Sequence, residues 1–351
     1  MTAKATAGNL PLLQFVSDRR WGAELEVNSF DGRNRPEQGR RPEGIDYVAM
    51  LVNRACPSDG CEIRDWEHTQ GNEGWVVKPD SSCGMEICTP IYKGWTGLRK
   101  LCEVSHALGV DPRVSVDSRC SVHVHVEVAD LTPDQLGSVI AHWFKIEPVF
   151  MDAMPPERKR NRYCQFMGMT NLLQHDTRIT PADLTRKVGN VKYYSLNTNQ
   201  MIRNGRKTVE FRIIEGAGVK DPYLLKNWIR LLIHFVEMAA KKPFPGPYVE
   251  GDSSSSFCWL DPIDALKFLG FWPDPKEYEL SPGLRQTRNW FIARLQRYMA
   301  KDSEEGPRHF AYKELQQILQ KFKDMGEEIV PEKHLSPTDL KAVLYDETLV
   351  A

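Results

Sequence analysis

The sequence predicts an α+β fold followed by a helical C-terminal region, and three features support this prediction. Several short segments alternate apolar and polar residues with the period of two that a half-buried strand requires. Helical patterns that begin at capping residues lie among these segments. After the stretch PFPGPYVEGDSSSS, only helical patterns follow. We therefore expect four parts: a flexible lead-in at 1–14, a core domain at 15–245, a linker at 246–256 and a helical region at 257–351.

The composition is that of an ordinary globular protein, and it narrows the range of partners. The chain has 351 residues, of which 41% are hydrophobic and 26% charged, and its formal net charge is -1. This charge argues against a general binder of nucleic acid or membrane surfaces, because both need a basic field. No apolar run reaches the roughly 18 residues of a membrane span, and the N-terminal residues lack a signal-peptide core. We expect a cytoplasmic protein with a small-molecule or peptide substrate. Its oligomeric state stays open, with a homo-oligomer as one option.

The first strand pattern is WGAELEVNSF, which begins at Trp21. Its apolar residues occupy the odd positions from 23 to 27, and the opposite face carries Glu24, Glu26 and Asn28. After a Gly-, Pro- and Arg-rich loop, residues 47–54 have the pattern of a short helix. The strand therefore has one face suited to a core and one acidic face.

The next strand pair surrounds a turn. Residues 75–78 predict a short strand that enters the turn PDSSCG, and residues 84–90 predict its partner. On the partner strand Glu86 and Cys88 share one face, while the apolar residues lie on the other. A helical pattern through residues 98–108 follows, and Gly109 stands where such a helix would stop.

The clearest alternation in the chain is SVHVHVEV, residues 121–128. Four valines lie on one face, and the opposite face carries His123, His125 and Glu127. The next segment, Thr132-Pro133-Asp134-Gln135, has the form of a capping box with proline at the first helical position. It opens an apolar helix that Pro148 should kink or end near its last turn.

The last predicted hairpin joins residues 191–199 and 207–215 through the turn Asn204-Gly205. On its second strand, KTVEFRIIE, Thr208, Glu210, Arg212 and Ile214 are expected on one face. Asp221-Pro222 then opens a strongly apolar helix. Further helices are expected from Asp261-Pro262, around 289–299, around 310–322 and from Ser336-Pro337.

The polar faces of these strands carry acids, imidazoles and arginine where ordinary strands carry Thr, Ser and Lys. Carboxylates about 4 Å apart repel by several kcal/mol at an effective dielectric near 20, so a group of four needs cations. Oxygen donors with an occasional imidazole suit Mg²⁺ or Mn²⁺ better than structural zinc, and none of the eight cysteines forms a CxxC pair. Two divalent ions with nearby cationic side chains are a usual way to hold a polyphosphate. The available cations are Lys78, Arg160, Arg162 and Arg212.

A set of motifs in this order resembles the amidoligase family of the glutamine synthetase and glutamate-cysteine ligase superfamily. The motifs are GAELE, WVVKPDSSCGMEICTP, VHVHV, RNRYC, YYSLNT and TVEFRIIEG, over about residues 20 to 240. The resemblance implies a curved antiparallel sheet, similar to the catalytic domain of glutamine synthetase, with helices on its convex face. It also implies that the concave face binds ATP and two or three Mg²⁺ ions. The implied activity is an ADP-forming amide ligase: the γ-phosphoryl group of ATP passes to a carboxylate, and an amine then attacks the acyl phosphate.

The resemblance also implies roles for individual residues. The metal-binding acids would be Glu24, Glu26, Glu86 and Glu210, joined by one of His123 and His125. Arg212 would contact the transferred phosphoryl group, and Arg160 or Arg162 would be a second phosphate ligand, so that Glu210 and these arginines form the catalytic set. Lys78, Arg162, Arg212 and Glu26 would contact the nucleotide. Asp80, Ser81 and Asn197 would shape the substrate pocket.

Two other classes of function stay open on the residues alone. The pair His123 and His125, with nearby carboxylates, would also suit a zinc-dependent hydrolase that acts without nucleotide. A catalytically silent binding module built on the C-terminal helices is the third possibility. Metal analysis and ATP binding separate the three.

Overall fold

The protein was analysed as a computed structural model. It describes residues 12–13, 18–32, 41–65, 73–167, 180, 182, 185, 188, 192–199, 201, 207–244, 259–272, 279–299 and 308–329.

A seven-stranded sheet forms the centre of the molecule, with the strand order β3-β4-β5-β2-β6-β8-β7. The strands that the structure describes are β1 (Leu12–Leu13), β2 (Trp21–Asn28), β3 (Cys61–Ile63), β4 (Trp75–Asp80), β5 (Gly84–Cys88), β6 (Ser121–Glu127), β7 (Leu196–Asn197), β8 (Thr208–Glu215) and β9 (Glu279–Leu280). All neighbours in the large sheet are antiparallel except β3 and β4, and β1 pairs separately with β9. This mixed α+β architecture with a mostly antiparallel sheet was predicted. The finer likeness to glutamine synthetase stays a prediction.

Eight α-helices fall within the described ranges. They are α1 (Ile45–Ala55), α2 (Gly94–Val110), α3 (Pro133–Asp152), α4 (Pro156–Lys159), α5 (Pro222–Lys241), α6 (Pro262–Phe268), α7 (Pro282–Tyr298) and α8 (Arg308–Asp324), and a 3-10 helix spans Gly216–Lys220. The predicted capping box of α3 is present, with Thr132 and Gln135 bonding each other's backbone N–H groups. None of the described helices has a stretch that is both long and apolar enough to span a bilayer.

The alternating strands bury their apolar face against helices, as predicted. The side chains of Val122, Val124 and Val126 are fully buried. On β8, Phe211 packs against Trp143 of α3 with ring centroids 4.8 Å apart and against Phe235 of α5 at 6.1 Å. Because successive side chains of a strand point to opposite faces, burial of this face leaves the acidic and imidazole side chains on the other.

One prediction about β8 is wrong, because the strand contains a bulge. His125 pairs with Glu210 and Val124 with Phe211, but Val122 pairs with Ile214, so the register shifts by one residue opposite His123. Ile214 therefore lies beside core-facing Val122 and not on the face of Glu210. Arg212 still shares the face of Glu210 and lines the same cleft.

Other predicted boundaries also shift. Helix α2 continues through Gly109 to Val110. Glycine is needed at this position because the helix backbone lies close to Lys220, and a Cβ would lie 2.6 Å from Lys220 O. Helix α3 passes Pro148 and ends at Asp152. The strand predicted at 191–199 is reduced to β7, and the turn Asn204-Gly205 lies outside the described residues.

Helices α6 and α7, beyond the predicted linker, pack against the core. Trp290 of α7 meets Trp228 of α5 with ring centroids 6.5 Å apart, and Arg230 donates to Gly283 O at 2.9 Å. Arg294 also pairs with Glu215 at the end of β8 at 2.7 Å. The linker itself and the helix predicted after Ser336 fall outside the described residues.

Candidate active site

The polar faces of five neighbouring strands line one cleft of about 670 Å³. Ten of the residues singled out from the sequence line it together: Glu24, Glu26, Lys78, Asp80, Ser81, Glu86, His123, His125, Glu210 and Arg212. The convergence follows from register, since Glu24 pairs with His123, Glu26 with Glu86, and His125 with Glu210 across adjacent strands.

Glu24 lies at the centre of the cleft between two histidines. His123 Nδ1 is 3.2 Å from Glu24 Oε2, and His125 Nε2 is 3.2 Å from Glu24 Oε1. Burial opposes ionisation of this carboxyl, but the two imidazoles hold its pKa well below the usual value. Glu24 is therefore an anion, although its side chain is only 22% exposed.

Glu26 occupies a different environment one step along the same strand. Its Oε2 accepts hydrogen bonds of 2.7 Å from both the N–H and the hydroxyl of Ser121, and His123 Nε2 lies 3.8 Å from its Oε1. Burial nevertheless raises its pKa. The pKa values of Glu24 and Glu26, which share one face of β2, are thus shifted in opposite directions.

Glu86 lies between a cation and a thiol. Lys78 Nζ is 2.8 Å from Glu86 Oε1, and the Cys88 thiol donates to the same oxygen at 3.1 Å. Burial, and then repulsion from Glu24, raise the pKa of Glu86 to about 7, despite the attraction of Lys78. A divalent cation placed here would reverse this shift, because it favours the anion.

Arg212 and Glu210 form a tight pair on β8. Arg212 Nη1 donates to Glu210 Oε1, Arg212 Nε donates to Tyr163 O at 3.2 Å, and Asn197 Nδ2 donates to Glu210 Oε2 at 2.6 Å. Burial opposes ionisation of both groups, yet their mutual attraction lowers the pKa of Glu210 and raises that of Arg212. Asn197 is the register partner of Glu210 on the neighbouring strand β7, contacts it from there, and is not a lining residue of the cleft.

The three arginines of the segment ERKRNRYC differ in burial. Arg160 and Arg162 are exposed and do not line the cleft. Arg158 lines it and is buried, with hydrogen bonds to Arg212 O at 2.6 Å and Ile213 O at 3.1 Å. Arg158 thus holds the backbone at the β8 bulge. The burial of Arg158 was not predicted, because Arg158 belongs to helix α4 and strand alternation does not apply to a helix.

Asp80 closes the turn between β4 and β5. Its Oδ1 accepts from the N–H groups of Ser82 at 2.7 Å and Cys83 at 3.1 Å. Burial opposes ionisation of Asp80, but these bonds hold its pKa below the usual value. Ser81, at the tip of the turn, lines the cleft.

Two lining residues not assigned from the sequence, Ser121 and Cys88, share a face with predicted ones. Ser121 precedes His123 by two residues on β6, and Cys88 follows Glu86 by two on β5. Alternation already placed Cys88 on the face of Glu86, and the same rule applied to β6 places Ser121 on the face of His123.

Three groups of side chains in the described part of the chain could each hold a cation. They are Glu24 with Glu86 and Cys88, Glu24 with His125 and Glu210, and Glu26 with Asp80 and Cys83, and in each group the ligand atoms lie within 4.8 Å of one another. Each group has two carboxylates, which suit Mg²⁺ or Mn²⁺, whereas the imidazole of the second group and the thiols of the other two suit softer ions. The carboxylates therefore fit the ions expected from the sequence.

Comparison with known proteins points in the same direction. Residues 63–236 match the model of a family described as "Putative amidoligase enzyme". No curated protein matches the chain. Among solved structures, a bifunctional glutathione synthetase from Pasteurella multocida aligns at 9% identity and a TM-score of 0.35, covering 93% of this chain and 51% of that one. The chain thus spans about half the length of that structure, and so distant a likeness carries no argument. The family match identifies residues 63–236, the region that contributes most of the cleft lining, as a region of the amidoligase family.

Proposed function

We propose that this protein is an ATP- and Mg²⁺-dependent ligase that joins a carboxylate to an amine through an acyl phosphate. Family membership supports an amide-forming ligase in general. The observation that carries the finer proposal is the grouping of Glu24, Glu26, Glu86 and Glu210 around His123 and His125, beside the buried guanidinium of Arg212. Four carboxyls in so small a space are stable as anions only with cations among them.

The carboxylates and one of the histidines would hold two or three ions. Bound Mg²⁺ supplies charge neutralisation to the polyphosphate and orients it for transfer. The residues of the chain hold these candidate ligands in fixed positions. His123 lies 3.2 Å from Glu24 and 3.5 Å from Glu210, so one imidazole spans two strands that carry candidate ligands.

Arg212 would stabilise the phosphoryl group during transfer. Three contacts fix its position: the Glu210 carboxylate, Tyr163 O and, through the backbone, Arg158. A guanidinium held in this way does not have to reorganise when negative charge develops near it. Lys78 supplies a second cation on the opposite side of the cleft, beside Glu86.

The proposed reaction has two steps. An oxygen of the substrate carboxylate attacks the γ-phosphorus of ATP, the bond to the β-phosphate oxygen breaks, and ADP leaves. The amine nitrogen then attacks the acyl carbon, phosphate leaves with the bonding electrons, and the nitrogen loses a proton. The products are an amide, ADP and phosphate.

Product analysis tests the proposal. Purified protein with ATP and Mg²⁺ should release ADP and phosphate only when both a carboxylate and an amine are present. Hydroxylamine in place of the amine should trap the activated carboxylate as a hydroxamate. Release of AMP and pyrophosphate would instead show an acyl adenylate and contradict the mechanism.

The second candidate function is a zinc-dependent hydrolase. The group of Glu24, His125 and Glu210 favours it, since an imidazole with two carboxylates also suits a catalytic zinc ion. Such an enzyme would contain tightly bound zinc as purified and would act without nucleotide. Metal analysis of the isolated protein distinguishes the two.

A further inference from the structure

Two of the eight cysteines meet at the end of β2. Cys83 ends the turn between β4 and β5, and Cys120 directly precedes β6. Strands β5 and β6 lie on either side of β2, so both cysteines flank its last residue, Asn28. Asn28 pairs with Gly84, which follows Cys83, and Asn28 Oδ1 accepts from the Cys120 thiol at 3.4 Å. We use the name thiol pair for Cys83 and Cys120.

The two thiols of the thiol pair contact each other. A hydrogen bond joins them, and this bond and burial raise the pKa of Cys83. Both side chains are buried, with exposed fractions of 1% and 0%. Other buried thiols donate to backbone oxygens instead: that of Cys102 to Pro222 O and that of Cys164 to Arg158 O, both at 3.6 Å. Contact between two thiols therefore distinguishes the thiol pair from these cysteines.

The position of the thiol pair suits a disulfide. A disulfide needs Cβ atoms about 3.5–4.5 Å apart, so it forms between residues whose side chains already meet. Neither cysteine belongs to a strand, so the bond leaves the pairing of β2, β5 and β6 unchanged. The Cys83 thiol would exchange its contacts with Asp80 Oδ1 and Met85 O, both at 3.4 Å, for the bond to Cys120. These contacts are weak, because a thiol is a poor hydrogen-bond donor.

The neighbours of the thiol pair in the chain connect it to the cleft. Ser82 directly precedes Cys83, Arg119 directly precedes Cys120, and both neighbours line the cleft. A small oxidant in the cleft thus comes within one residue of each thiol. Since the thiols are buried and protonated, we expect their oxidation to take hours, at the slow end of the range for disulfide formation.

We propose that Cys83 and Cys120 are a modification site, at which a peroxide oxidises them to a disulfide. One thiol attacks a peroxide oxygen, the O–O bond breaks, and water leaves, which gives a sulfenic acid. The other thiol attacks the sulfenic sulfur, the S–O bond breaks, and a second water leaves. The two sulfurs together lose two electrons to the peroxide, and both thiol protons end in the two waters. The site does not depend on the proposed ligase reaction.

The disulfide joins two parts of the cleft wall. The β4–β5 turn carries Asp80 and Ser81, and Ser121 at the start of β6 holds Glu26 through its N–H and hydroxyl. Oxidation also withdraws the Cys83 thiol from the group that it forms with Glu26 and Asp80, so that only oxygen ligands remain there. Because the bond closes residues 83–120 into a loop, it should raise the melting temperature by about 5 °C.

Peptide mapping tests the modification site. The full chain would be incubated with hydrogen peroxide for hours, denatured, alkylated without reduction, digested and analysed by mass spectrometry. The expected product is a crosslinked peptide that contains Cys83 and Cys120, with a mass loss of about 2 Da. Two of the eight cysteines should thereby escape alkylation. Dithiothreitol should restore both thiols and the original melting temperature.

Serine variants locate the effect. Cys83→Ser and Cys120→Ser should each form no crosslink and show no rise in melting temperature on oxidation. The matched control is Cys102→Ser, which replaces another fully buried thiol and keeps the thiol pair. It should form the disulfide as the wild-type protein does. If a serine variant of the thiol pair does not fold, peptide mapping of the wild-type protein decides alone.

Three results would overturn the inference. The first is alkylation of both Cys83 and Cys120 after a peroxide treatment that oxidises other cysteines. The second is a crosslink from either residue to a different cysteine. The third is zinc in the purified protein that is released when these two thiols are alkylated, because the thiol pair would then be a metal site. ADP release plays no part in these measurements, so failure of the ligase reaction would leave their outcome unchanged.

Discussion

His123 Nδ1 on β6 lies 3.2 Å from Glu24 on β2, the neighbouring strand on one side, and 3.5 Å from Glu210 on β8, the neighbouring strand on the other. One imidazole therefore links the first and last strands that carry candidate metal ligands. This arrangement requires β2, β6 and β8 to be adjacent, which they are. In this geometry the loss of a single carboxylate should affect the whole group.

Replacement of Glu210 by glutamine should abolish ADP release and leave the fold intact. The amide keeps the size of the side chain and can still contact Asn197, but it removes the charge that would hold a cation and pair with Arg212. Activity and circular dichroism are the measurements. Glu103→Gln, on the outer surface of α2, is the matched control and should behave as wild type. Retained activity in Glu210→Gln would remove this residue from the metal set.

Replacement of Arg212 by lysine should lower kcat by about a hundredfold or more, the range found when a preorganised transition-state donor is lost. Lysine keeps the charge but cannot contact Glu210 and Tyr163 O at the same time in the planar geometry of a guanidinium. Steady-state kinetics with hydroxylamine as the amine measures the effect. Arg99→Lys on the surface of α2 is the control, and equal kcat values for the two variants would contradict the assignment.

Replacement of Glu147 by glutamine should lower kcat and cost about 1–3 kcal/mol of unfolding free energy. The fully buried Glu147 accepts from Met167 N at 2.9 Å and from the Ser195 hydroxyl, and the Ser195 backbone bonds Arg212. Glu147 therefore positions the strand that presents Arg212. Urea unfolding and kinetics check the two effects, and a stability loss with an unchanged kcat at a temperature where the variant is folded would limit Glu147 to a structural role.

The protein should lose stability in acid because of two buried histidines. Burial lowers the pKa of His142 and of His234 to about 4, from the ordinary value of 6.5. Between these values the unfolded chain binds more protons than the folded one, so the free energy of unfolding falls as the pH falls from about 6.5 toward 4, by up to about 3 kcal/mol per histidine.

Urea unfolding at about pH 7 and about pH 5 measures this effect. The double variant His142→Gln, His234→Gln should be less stable at the higher pH but should lose less stability on acidification. His234 lies 2.7 Å from Leu269 O and stacks on Phe271, and His142 stacks on Phe268, so acid should first loosen the packing of α6. Equal pH dependence in the variant and the wild type would assign the acid sensitivity to other groups.

Chelation of divalent ions should stop the reaction, and added Mg²⁺ or Mn²⁺ should restore it. The reason is the grouping of Glu24, Glu86 and Glu210, which needs cations once ATP adds further negative charge. Melting temperatures should also rise more with ATP and Mg²⁺ together than with either alone, since a ligand that binds only the folded state stabilises it. Activity that survives chelation would contradict the proposal.

The strand faces could be predicted from the sequence because alternation is a local property. The patterns GAELE, VHVHV and TVEFR each place polar side chains opposite apolar ones without reference to any other part of the chain. The α3 capping box is likewise contained within four consecutive residues. These parts of the fold and of the candidate site agree with the structure.

Contacts between distant segments could not be predicted in this way. The β8 bulge depends on how β6 and Arg158 meet the strand, so the position of Ile214 was not set by alternation. Arg160 and Arg162 were expected at the phosphate and instead lie exposed, because α4 directs Arg158 inward. A buried partner such as Glu147, which lies 48 residues from Ser195 in the chain, leaves no local pattern.

The sequence by itself therefore determined which side chains lie on the polar faces of the regular strands, and only the tertiary structure decided how they meet and which other residues join them. A strand's period of two assigns Glu24, His123 and Glu210 to polar faces, since neighbouring side chains must point to opposite sides. The distances between these side chains, the shifted pKa values of Glu24 and Glu210, and the burial of Arg158 in place of its neighbours depend on strand order, register and packing. These properties arise from packing between segments far apart in the chain, which no local pattern encodes.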